Sequence, residues 1–315
     1  MSFNDNVQLD PSRARAGGGG GLGGRGIALG GTGGLIALLI AVFAPDLAAQ
    51  IGINPDGTIG GGAVSQSREH QQPGGTEGEL ASCRTGADAN ERSDCRVLAT
   101  TEAADAYWEE QLSRYRDVEF RPPGLTLFTG STQSGCGAAS SDTGPFYCPG
   151  DESMYYDVSF FDTLERDFGA GGGPLAEQYI VAHEYGHHIQ QIVGWLQYSQ
   201  DGQTGPESGI VRVELQADCL AGMWAGAASE TIDPESGEPF LEPITDEQLH
   251  QALDAAQAVG DDRIQQTHTG QVNPDSFTHG TSAQRAAWFQ RGYEAGRADS
   301  DIGQCDTFNA PTLDI

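Results

Sequence analysis

The sequence predicts an α+β domain, mostly helical with a small sheet, preceded by one transmembrane helix. Three features point there. Several segments carry apolar residues at helical spacing between start and stop signals, and only a short stretch alternates like a strand. Residues 27–44, "IALGGTGGLIALLIAVFA", hold no charge at all.

Residues 1–26 are polar and Gly-rich, with five consecutive glycines at 17–21, the composition of a disordered Gly/Arg-rich tail. Residues 27–44 have about the shortest length that spans a bilayer. Arg13, Arg15 and Arg25 precede them and Asp46 follows, so the positive-inside rule puts the N-terminus in the cytoplasm and the main domain outside. This describes a single-pass protein of the cell membrane, held by one N-terminal helix. A cleaved signal peptide ending near Ala48 and Ala49 competes, but 26 preceding residues are long for one. Residues 45–80, rich in Gly, Gln, Ser and Pro, read as a flexible tether. The folded domain then covers 81–305, with 306–315 as a C-terminal tail.

Within that domain Ala104, Trp108, Leu112 and Tyr115 form the stripe of a helix over about 101–116. The stretch "SMYYDVS", 153–159, alternates as a strand, either an exposed edge that could align an extended peptide or an ordinary sheet strand with a buried aromatic face. A short helix is expected around 160–168. Pro174 suits a first helical position and Gly194 a stop, which frames a helix of about twenty residues, with Leu175, Ala182 and Ile189 toward the core. Residues 210–228 form a helix dense in small residues (Ala217, Ala221, Gly222, Ala225, Gly226), able to approach another helix closely. Capping boxes at Thr245/Gln248 and Thr281/Gln284 open helices running to about Val259 and from Ser282 to Ala298.

All six cysteines lie beyond the apolar segment, as an exported domain would have them. Six allow fifteen pairings. Sequence neighbours suggest Cys83–Cys95 and Cys136–Cys148, leaving Cys219–Cys305. No C-x-x-C occurs, which argues against a cysteine metal site. The chain has 45 acids against 16 bases, all arginine, for a net charge of −29. Such a surface repels nucleic acid, so nucleic-acid binding is excluded as a function class.

The chemistry concentrates in "VAHEYGHHIQQIVG", 181–194. His183 and His187 stand four apart on one helical face, where two imidazoles can share one ion, with Glu184 beside it as a general base. His188 is rotated off that face and reads as a packing residue. A catalytic zinc site needs a third protein ligand. In "IVRVELQADCLAGMWAGAA", Glu214 and Asp218 share a face of an otherwise apolar helix, where carboxylates are costly unless bound to a cation or paired. Glu214 is then the third ligand, and Asp218 accepts the free ring proton of a ligand histidine.

H-E-x-x-H followed by a helix with E-x-x-x-D resembles the gluzincin metallopeptidases. The Arg/Gly-rich N-terminus, the apolar segment, "GCGAASSDTGPFYCPGDESMYYDVSFF", "HEYGHHIQ", "ELQADCLAGMWA" and "HGTSAQRAAWFQRGY" together resemble the bacterial neutral zinc metallopeptidase family over nearly the whole chain. The resemblance implies a zincin-like domain holding Zn2+ through His183, His187 and Glu214, with Glu184 as catalytic base. Its substrate would be a peptide or protein. The tetrahedral oxyanion needs a further donor, for which His279 is the first candidate and His268 the second. The favoured function is a membrane-tethered zinc metallopeptidase. The alternative is a non-catalytic zinc-binding cell-envelope protein serving as a binding or assembly module, and an amidase acting on cell-wall peptides would use the same residues. Structural zinc sites are usually closed by four ligands, often cysteines, so a histidine pair with an adjacent base favours an enzyme.

Overall fold

The computed structural model describes residues 2–17, 80–161, 172–199 and 202–315. Strand β1 (Arg15–Gly17) opens the chain, followed by helices α1 (Gly86–Glu91) and α2 (Ser93–Leu112). Strands β2 (Gly124–Phe128), β3 (Ser131–Ser134), β4 (Gly137–Ser140), β5 (Phe146–Cys148) and β6 (Ser153–Asp157) come next. Helices α3 (Pro174–Val193), α4 (Gly209–Ala227), α5 (Asp246–Ala258), α6 (Asp261–Thr269) and α7 (Ser282–Arg297) complete the domain. The result is the expected mixture of helices with a small sheet.

Local signals explain the helix limits. Pro174 occupies the first turn of α3, and Gly194 ends it in the left-handed region at φ 84°. Ser208 caps α4, and reciprocal capping boxes open α5 and α7. Helix α2 begins at Ser93, eight residues before the expected start at 101, where Arg92 takes the N-cap position, and it stops at Leu112, so Tyr115 packs from the turn beyond. Helix α6 has no counterpart among the sequence-based expectations.

Close helix contact comes from missing side chains. A Cβ at Gly292 would lie 1.9 Å from the Cys219 carbonyl oxygen, and one at Gly222 would lie 2.1 Å from that of Phe289. Only glycine lets α4 and α7 meet backbone to backbone in this way. A Cβ at Gly186 would stand 3.0 Å from the Ala217 carbonyl, so α3 also crosses α4 tightly. The small residues of α4 therefore serve two neighbours.

The sheet runs β1-β2-β6-β5, parallel except for the β5/β6 pair, and β3 and β4 form a separate hairpin. Leu125, Leu127, Met154 and Tyr156 point into the main core with the helices, while Phe128, Phe146 and Tyr155 form a smaller cluster on the other face. Of the two readings for 153–159, the exposed edge is ruled out and the ordinary strand with a buried aromatic face holds: β6 is paired on both sides, and β1 and β5 are the outer strands. Alternation identified the strand but could not reveal its pairing partners. Most of the helix expected at 160–168 lies outside the described residues. The three disulfides are Cys83–Cys95, Cys136–Cys148 and Cys219–Cys305, as the cysteine spacing suggested. The C-terminal residues pack on α4 and α7, with Leu313 buried and its carbonyl accepting from Trp288 Nε1.

The N-terminus departs most from expectation. Residues 2–17 are not a disordered tail: Phe3, Val7 and Leu9 are buried in the core, and β1 pairs with β2. Among the described residues no helix is long and apolar enough to cross a membrane, and segment 27–44 lies outside them. The preceding transmembrane helix is therefore corrected, and the packing supplies the reason. One crossing between Gly17 and Leu80 would put β1 and β2 on opposite sides of a bilayer, yet the two strands share hydrogen bonds. Reading 1–26 as one tail hid three spaced apolar anchors, Phe3, Val7 and Leu9, that precede the glycine run.

Candidate active site

Helix α3 presents His183 and His187 on one face, with ring centroids 4.8 Å apart. Helix α4 crosses them at Gly186 and brings Glu214 opposite. His183 Nε2 lies 3.3 Å from Glu214 Oε2, and His187 Nε2 lies 3.6 Å from Glu214 Oε1. Donors about 2.0–2.2 Å from a tetrahedral ion stand about 3.3–3.6 Å apart, so these separations fit one small cation. All three ligand atoms fall within 4.8 Å of one another. The other such grouping among the described residues includes Cys83 and Cys95, whose sulfurs are already joined to each other.

The free ring nitrogens fix the tautomers. His183 Nδ1 donates to Asp218 Oδ1 at 2.8 Å, which leaves Nε2 to face Glu214. Asp218 is fully buried and is gripped by Arg285, whose Nε reaches Oδ2 at 2.8 Å and whose Nη2 reaches Oδ1 at 2.9 Å. Tyr179 donates its hydroxyl to the same Oδ1. Burial pushes the Asp218 carboxyl up, but Arg285 and His183 outweigh it and hold the group below its ordinary range.

His187 is held differently. Its Nδ1 is 2.9 Å from Gln190 Oε1, while Gln190 Nε2 donates to the Val213 carbonyl at 2.7 Å and to Gln216 Oε1 at 3.0 Å. Gln216 Nε2 in turn donates to the Cys305 carbonyl. A carbonyl can only accept, so the Gln190 amide has one possible orientation and its oxygen must face the imidazole. His187 therefore carries a proton on Nδ1, and its Nε2 is the atom turned to Glu214.

Electrostatics also favour a cation. Glu214 faces the two imidazoles and Asp218 backs His183, so two carboxylates meet the guanidinium of Arg285 among the described contacts. Burial pushes Glu214 up, but the His187, His183 and His279 charges hold it well below the usual carboxylate range. Burial pushes His183 down, yet Asp218 and Glu214 carry it to about 9.

The structure thus brings together His183, His187 and Glu214, with Asp218 behind His183, and places Glu184 next to the first histidine on α3. His188 points away: its Nε2 donates to the Arg121 carbonyl at 2.7 Å, and its Nδ1 accepts from the Tyr147 hydroxyl at 3.1 Å. It ties α3 to the edge strand β5, and burial pushes it down to about 4. His279 sits in the loop before α7, with Nδ1 3.2 Å from Asp261 Oδ1, and its charge is felt at Glu214. Asp261 Oδ2 accepts the amides of Thr278, His279 and Gly280, which fixes that loop. The His268 side chain lies outside the described residues.

Sequence reasoning missed Arg285, Gln190, Gln216 and Asp261. An arginine one turn into α7 among Ala283, Ala286, Ala287 and Trp288 was the available signal for Arg285. The glutamines and Asp261 offered none.

A family described as "Putative neutral zinc metallopeptidase" matches residues 3–308. The uncharacterized protein Rv2575 of Mycobacterium tuberculosis is 48% identical over 270 residues, covering 84% of this chain and 86% of the relative. The uncharacterized protein YpfJ of Escherichia coli K12 is 38% identical over 311 residues, covering 97% of this chain and 96% of the relative. No solved structure gives a significant match.

Proposed function

The chain belongs to the neutral zinc metallopeptidase family, and from that premise we propose that it hydrolyses peptide bonds with zinc held by His183, His187 and Glu214. The observation that carries this reading is the cluster of three donors, His183, His187 and Glu214, brought together by α3 and α4, with Glu184 adjoining His183 in sequence and not among the donors. Three protein ligands mark catalytic zinc sites, whereas structural sites are usually closed by four. When bound, zinc supplies a Lewis acid that lowers the pKa of water and polarises the scissile carbonyl.

The chain's own groups do the rest. Glu184 takes the proton of the attacking water and delivers it to the leaving amine. Asp218 and Gln190 hold the two imidazoles in the tautomer that leaves each Nε2 unprotonated for the metal. His279, aimed by Asp261, donates to the carbonyl oxygen as negative charge gathers there. A non-catalytic zinc module is the competing reading, and a cluster of three donors, one short of the four usual in structural sites, supports the enzyme instead.

Digestion of a mixed peptide library by the purified chain tests the proposal. Cleavage should disappear with a chelator and return with added zinc. Cleavage indifferent to the chelator, or none from a fully zinc-loaded chain, would reject it.

A further inference from the structure

Tyr185 occupies the middle of the H-E-x-x-H stretch, yet no step above uses it. Two residues from each ligand histidine, it leaves α3 about 200° from them, on the back of the helix. Its side chain is fully buried, and its hydroxyl donates to Asp105 Oδ1 on α2 at 2.7 Å. The same carboxylate receives Arg13 through two bonds, Nε to Oδ2 at 2.7 Å and Nη2 to Oδ1 at 3.1 Å. Arg13 comes from the N-terminal segment, more than ninety residues away in sequence.

That segment is fastened along its length. Phe3 N donates to Asn90 Oδ1, Leu9 N to the Arg84 carbonyl, and Asp10 N to Glu102 Oε1. Asp10 then caps the short 3-10 turn Pro11–Arg13, which aims the Arg13 guanidinium at Asp105, before the chain enters β1. Burial pushes the Asp105 carboxyl up, while Arg13 and Tyr185 act against that. Without the guanidinium, a largely buried carboxylate would be left with one neutral donor and would tend to take up a proton. A protonated acid is a poor fixed acceptor for the Tyr185 hydroxyl.

We propose that Arg13 is a positioning residue for the metal site, acting through Asp105 and Tyr185 on the back of the helix whose front carries His183 and His187. The domain thus completes its metal helix with a side chain from its own N-terminal strap. This rests on the zinc assignment above, and its test separates the two.

The test compares wild type with Arg13→Gln, Arg13→Lys, Tyr185→Phe and the Arg13→Gln/Tyr185→Phe double variant, as full-length zinc-loaded chains. The rate of zinc loss to a colorimetric chelator is followed, with kcat and KM on a cleaved peptide as a second readout. Losing a partner that touches a ligand costs about 10- to 100-fold, so this more distant contact should speed zinc loss by about fivefold. Tyr185→Phe should match Arg13→Gln, the double variant should add nothing, and kcat should fall with KM unchanged. Arg13→Lys keeps the charge and should restore part of the effect, and it carries the comparison if Arg13→Gln does not fold. Zinc loss at the wild-type rate in Arg13→Gln, or additive effects in the double variant, would overturn the proposal while leaving the zinc assignment standing. A wild-type chain that takes up no zinc would overturn both.

Discussion

The two histidines proposed as ligands sit one helical turn apart, yet unlike partners hold them. His183 leans on a charged group, the Asp218 carboxylate clasped by Arg285 and Tyr179. His187 leans on a neutral chain of two amides that ends on a backbone carbonyl. Both arrangements deliver the same tautomer. The difference is one of charge: an anion behind His183 strengthens it as a ligand, while the amides behind His187 fix its orientation and add no charge to a pocket already rich in carboxylates. Orientation and basicity are thus supplied separately within one site.

Breaking the charged side should cost most. Arg285→Met leaves Asp218 buried without its cation, and removing one member of a buried ion pair costs about 3–5 kcal/mol. Denaturant unfolding of the purified variant should show a loss of that size. A loss below about 1 kcal/mol, the size typical of an exposed pair, would mean that the guanidinium contributes little to the charged arm.

Asp218→Asn tests the ligand more directly. It keeps the shape and an acceptor for His183, but it removes the charge and turns an amide donor toward Arg285. Zinc affinity should fall about 10- to 100-fold by competition with a chromogenic chelator. Gln190→Met is the matched change on the neutral arm and should cost less. One neutral hydrogen bond is worth about 1 kcal/mol, or roughly fivefold in affinity. Equal losses in the two variants would show that orientation alone matters and would erase the distinction.

What the sequence disclosed follows the range of each interaction. His183 and His187 were legible as a pair because a helical turn makes i and i+4 neighbours without help from the rest of the fold. Glu214 and Asp218 were legible because two carboxylates on an apolar helix demand a cation or a partner. Arg285, 67 residues beyond Asp218, had to wait for the close packing of α4 on α7 that Gly222 and Gly292 permit. Gln190 and Gln216 look like any solvated amide until the Val213 and Cys305 carbonyls are placed beside them. The N-terminus misled for the opposite reason: Phe3, Val7 and Leu9 are core residues inside a composition that suggests none. The inner strand β6 was recognisable by alternation, but its neighbours β2 and β5 are set by pairings that no single segment records.

The central claim is that one side chain acts on the reaction while its neighbours hold the metal, and Glu184→Gln isolates it. Zinc content and peptide hydrolysis should be measured on the same folded sample, beside His187→Ala as the ligand-deleting control. The account predicts near-stoichiometric zinc in Glu184→Gln with hydrolysis reduced about 10²- to 10⁴-fold, and loss of both zinc and activity in His187→Ala. Hydrolysis at the wild-type rate in a zinc-loaded Glu184→Gln chain would contradict it.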